Sequence, residues 1–193
     1  MDQTASIMPQ DIQVLRSPNL TAVMSDLAEE LQRRVSGEVN SDGESVIFLC
    51  IHGLQKFKQL RHEDDFSFSA GDSEGPNPGR DFAKIVTEGS GYEIHIIATI
   101  DTLNNVNHFL SRKALTEFAM RVVFQMSAND SSSLIDSPQA SNLGLHRAIY
   151  YNEQESYLET FRPYASPEPE WLAHAGELMA RRASTTRASA DSS

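Results

Sequence analysis

Residues 45–55 read SVIFLCIHGLQ. An unbroken apolar run, 46–51, stops abruptly at His52 and Gly53. Branched and aromatic residues bounded by polar, turn-forming segments specify a strand. A continuous apolar run, in place of alternation, specifies burial on both faces, as in a parallel sheet. Cys50, inside the run, reads as a small buried hydrophobe and not as a reactive thiol.

Outward from this strand, the chain alternates helical and extended patterns. Upstream, 20–35 (LTAVMSDLAEELQRRV) repeats apolar residues at three- and four-residue steps, with Asn19 placed to cap it and Gly37 to close it. Downstream, 54–61 reads as a short helical piece and 62–79, rich in acids, Gly, Pro and Ser, as an exposed mobile loop. A helix over 81–89 precedes a second apolar strand, 93–100 (EIHIIATI). Loop plus helix follow, then a third strand over 121–127 (RVVFQMS) and a short capped helix over 129–136. The segments 146–152 and 156–164 form a hairpin pattern across 152–155. A last amphipathic helix, 168–182, runs into a Ser/Thr-rich tail, 183–193, read as disordered. The domain reading is a lead-in over 1–18, a core over 19–166, a terminal helix over 167–182 and the tail.

Strands alternating with helices predict an α/β layered fold with a mostly parallel sheet, its three apolar strands side by side. Such sheets bind ligands at the carboxyl ends of their strands. That directs attention to 51–54, 100–105 and 127–130.

The 193 residues are 39% hydrophobic and 22% charged, a globular composition with enough chain for one core and a tail. No apolar run is long enough to span a bilayer, no signal peptide is visible, and a single cysteine rules out an internal disulfide; a cytoplasmic location is the expectation. The net charge of −11 disfavours a broad basic nucleic-acid surface while leaving room for a local contact. Six histidines show no metal-ligand spacing, so no metal site is expected, and there is no nucleophile elbow, H-E-x-x-H or dinucleotide-binding glycine turn.

The segments IHIIATIDTLNNVNHFL, MRVVFQMSANDSSSLIDSPQASNLG and HRAIYY, in that order, resemble the FtsK/HerA-type DNA-pumping ATPases. Arg121, Phe124, Ser127, Asp130, Ser131, Leu143 and Gly144 match the family pattern of an R-x-x-F strand, a Ser-x-x-Asp-Ser segment and a Leu-Gly step. The resemblance covers roughly 20–172. It implies a RecA-like core, a homo-oligomeric ring, ATP with Mg²⁺, and translocation along double-stranded DNA.

Two departures stand beside it. The chain has no G-x-x-x-x-G-K-[ST] phosphate loop, so it resembles the C-terminal half of the core, incomplete at its N-terminal side. By the resemblance, 46–51 is the Walker B strand, whose aspartate supports magnesium and whose neighbouring glutamate orients the attacking water. Those places hold Ile51 and His52. Isoleucine offers no oxygen to a hard cation.

His52 is either a substitute for the water-orienting acid or a polar residue hydrogen-bonded in a turn with Gly53. Asp101, Asn104 and Asn105 lie in the γ-phosphate sensor region, and Asp101 is a candidate displaced carboxylate; Asn and Asp also serve as ordinary loop and cap residues. Arg121 and Arg147 begin strands, either as nucleotide-reaching cations or as strand-end charges paired with acids. Asp130 and Ser131 read as a helix start. Three functions follow: a portion of a translocase inactive without its other half, a non-catalytic module derived from such an ATPase, or an unrelated α/β enzyme, the reading that gains if the three apolar strands are not adjacent and parallel. The first also predicts an exposed apolar sheet face near 46–51 and self-association.

Overall fold

The computed structural model describes residues 2–15, 17–37, 45–62 and 76–190. The chain divides into two units, Ser17–Arg162 and a smaller one made of Met1–Arg16 with Pro163–Ser193. The expected loop over 62–79 falls, from 63 to 75, outside the described residues.

In the larger unit, α2 (Leu20–Val35) has the predicted bounds; Asn19 stands at its N-cap but makes no side-chain cap bond. Strand β1 (Ile47–His52) runs parallel to β2 (Ile94–Thr99), with Leu49 opposite Ile96 and His52 opposite Thr99. Between them in sequence comes α3 (Pro78–Glu88), started by the Asn77 side chain, which accepts from Arg80 N–H. One face of the pair carries Ile47, Leu49 and Ile51 with Ile96 and Ala98. It packs into a core with Met24 and Leu31 of α2 and Phe82, Ile85 and Val86 of α3. The 54–61 piece is two turns of 3₁₀ helix, Leu54–Lys56 and Lys58–Leu60, and both Leu54 and Leu60 are buried.

The other face of the pair carries exposed apolar side chains. Phe48 is 60% and Ile97 56% exposed, and Cys50 is exposed between them. Cys50 is therefore not the buried hydrophobe the apolar run suggests. The run reports what both faces are made of, whereas burial depends on how many layers cover the sheet, and among the described residues one does.

The mostly parallel, three-stranded arrangement needs correction. Among the described residues parallel pairing is confined to β1 and β2. The third strand, β3 (Met120–Val123), pairs antiparallel with β4 (Ala148–Asn152), which pairs antiparallel with β5 (Tyr157–Phe161), the predicted hairpin. Its partner is the sequence-distant β4, which an apolar run cannot specify; like β1 it has one covered side, with Val123 buried while Met120 and Val122 are exposed. That alternation suits a sheet with one covered face. The chain reaches β4 through α4 (Leu103–Phe109), α5 (Arg112–Glu117) and then α6 (Ala128–Ile135), the first two preceding β3. Val123, Ile135, Ala140, Leu143, Ile149 and Tyr151 form a second small core under this sheet. The fold is thus mixed α/β, with a small parallel sheet and a separate antiparallel one.

In the smaller unit, α1 (Asp2–Ile7) packs on α7 (Pro169–Ala190). The helix α7 continues eight residues beyond the expected end at 182; residues 191–193 lie outside the described chain.

Candidate functional site at the strand ends

Five of the singled-out residues, Ile51, His52, Asp101, Asn104 and Asn105, lie at or just after the ends of β1 and β2. Ile51 is 8% exposed and belongs to the main core. His52, next along the strand, alternates to the exposed face, and its Nδ1 lies 3.3 Å from Thr99 Oγ1. The same Thr99 oxygen accepts the Gly53 N–H at 2.9 Å. His52 ends β1, and its ring meets the same Thr99 hydroxyl that accepts the Gly53 N–H.

Gly53 takes a left-handed φ of +76°, where a side chain is strained. The chain then closes a tight turn, Lys56 N–H donating to Gly53 C=O at 2.9 Å. That turn folds the Lys56 side chain back across Gly53: a Cβ built on Gly53 would lie 2.9 Å from Lys56 Cε and 3.1 Å from Nζ. Lys56 makes no ion pair with the described residues. In the same turn, Gln55 Oε1 is buried with no hydrogen-bond partner among them.

Asp101 follows β2 by two residues. Its Oδ1 accepts from Asn105 Nδ2 at 2.6 Å and from Thr102 Oγ1 at 3.4 Å. The Asn105 amide, first, and the Thr102 hydroxyl hold this exposed carboxyl below the usual carboxylate range. Thr102 in turn caps α4, its Oγ1 accepting the Asn105 N–H at 3.2 Å. Asn105 is therefore spent on local structure. Asn104 is exposed, and its carbonyl accepts from His108 Nδ1 at 2.8 Å.

The two arginines lie elsewhere. Arg121 Nε donates to Phe118 C=O at 2.8 Å, Nη1 to Leu134 C=O at 2.7 Å, and Nη2 to Leu115 C=O at 3.1 Å and to Glu153 Oε2 at 2.5 Å. Its guanidinium also sits 5.8 Å from the Tyr151 ring centroid. This side chain ties α5, α6 and the β4–β5 turn together. Arg147 is exposed, just before β4, and makes no ion pair with the described residues.

Asp130 and Ser131 do not start α6. Ser127 does, accepting the Asp130 N–H at 3.1 Å. Ser131 is fully buried, donates to Ser137 C=O and accepts from Ala140 N–H at 3.2 Å, fixing the turn after α6.

The donor set does not fit magnesium. Ile51 offers no oxygen, His52 suits softer ions, and Asp101 is a single carboxylate already engaged by two neighbours. Among the described residues no group of three or more His, Cys, Asp or Glu converges on a point, and no helix is long and apolar enough to cross a membrane.

Sequence reasoning passed over Thr99, Thr102 and Lys56. Thr102 was open to it, as a threonine three residues before Asn105 at a helix start. Thr99 and Lys56 act through a parallel register and a tight turn that the sequence does not display. No family model matches the chain, and no curated protein matches it.

Proposed function

We propose that this chain is the portion of an FtsK/HerA-type double-stranded DNA translocase that follows the phosphate loop. In this reading it is a RecA-like half-core, inactive by itself, that enters a homo-oligomeric ring and meets ATP after a segment carrying the phosphate loop packs against it. That segment belongs to the same polypeptide or to another subunit. The observation that carries the reading is the exposed apolar face of the β1–β2 pair. Parallel strands are stable when covered on both sides, and here Phe48, Cys50 and Ile97 face outward. The ordered motif match and the parallel pairing of the two strands add support. The position of β3 in a separate sheet is accommodated if the incoming segment supplies the strand between β2 and β3.

A second reading has its own observation. Ile51 is built into the core, Asp101 and Asn105 into a helix cap, and Arg121 into a structural clamp. A chain with Ile51, Asp101, Asn105 and Arg121 committed this way suits a non-catalytic ring or docking subunit derived from such an ATPase.

Steady-state ATP hydrolysis by the purified chain, with magnesium and double-stranded DNA, tests the first reading. It predicts no turnover above background. Robust turnover shows a complete site within these residues and removes the proposal.

A further inference from the structure

No further inference is drawn: the strongest candidate, the outer face of the antiparallel sheet, where Met120 and Val122 of β3 are exposed, carries nothing because nothing in the structure shows what covers it.

Discussion

Arg121 and Glu153 meet at 2.5 Å, Nη2 to Oε2, across the start of β3 and the turn between β4 and β5. The arginine is 13% exposed at its side chain, and its remaining bonds reach three main-chain carbonyls of α5, α6 and the segment between α5 and β3. Replacing it by methionine keeps the stem and strands those carbonyls and Glu153. The expected loss is about 3 kcal/mol of unfolding free energy, read by urea denaturation. Arg147→Ala should change stability by less than about 0.5 kcal/mol. Equal, small effects would return Arg121 to the list of free cations.

The Thr99 hydroxyl, at the end of β2, meets both the Gly53 N–H and the His52 ring at the end of β1. Thr99→Val keeps the shape and removes it. We expect a loss of about 1 kcal/mol and faster amide exchange at Gly53, with Thr99→Ser retaining both. Unchanged exchange at Gly53 in the valine variant would show that the turn holds without this bond.

Glu30 gives the chain an acid-sensitive element on α2. Arg33, donating at 2.8 and 2.7 Å, and then Arg34, at 2.7 Å, hold its carboxyl down to about 2 from an ordinary 4.5, against the opposing effect of partial burial. The folded value lies below the unfolded one, so the contribution is present above pH 4.5 and is lost as pH falls towards 2. The stability gap between the native chain and Glu30→Gln should therefore shrink across that window in pH-dependent unfolding. A gap that stays constant would mean that the arginines do not hold the charged form.

Gly176 sits where α1 crosses α7. A Cβ there would lie 2.6 Å from both Cγ2 and the main-chain oxygen of Ile7. Alanine ordinarily gains about 1 kcal/mol over glycine within a helix; here the clash opposes that gain. Gly176→Ala should lower amide protection in Asp2–Ile7 while leaving β1 and β4 unchanged. Unchanged protection in α1 would show that Ile7 moves aside freely.

Much of the element order was open to sequence reading, because helix periodicity and turn residues are local. The helix over Leu20–Val35 and the hairpin of β4 and β5 are of this kind. Pairing partners are not local, which is why β3 was placed beside β1 and β2. Its burial alternation, Val122 out and Val123 in, is shared by β1, so it does not tell the two kinds of pairing apart. Cys50 was misplaced for the related reason that an apolar run cannot say whether a second layer exists. At the site, Asp101 was legible as a carboxylate just after a strand. The commitments of Asn105 and Arg121 were not, because they depend on where carbonyls and caps fall in space.

The exposed apolar side of β1 and β2 is the feature on which the functional account turns, and sedimentation velocity reads it most directly. The native chain should associate as its concentration rises, and Phe48→Ser with Ile97→Thr should remain monomeric with an unchanged circular dichroism spectrum. A native chain that stays monomeric at the highest attainable concentration would contradict the claim that this face is built to be covered.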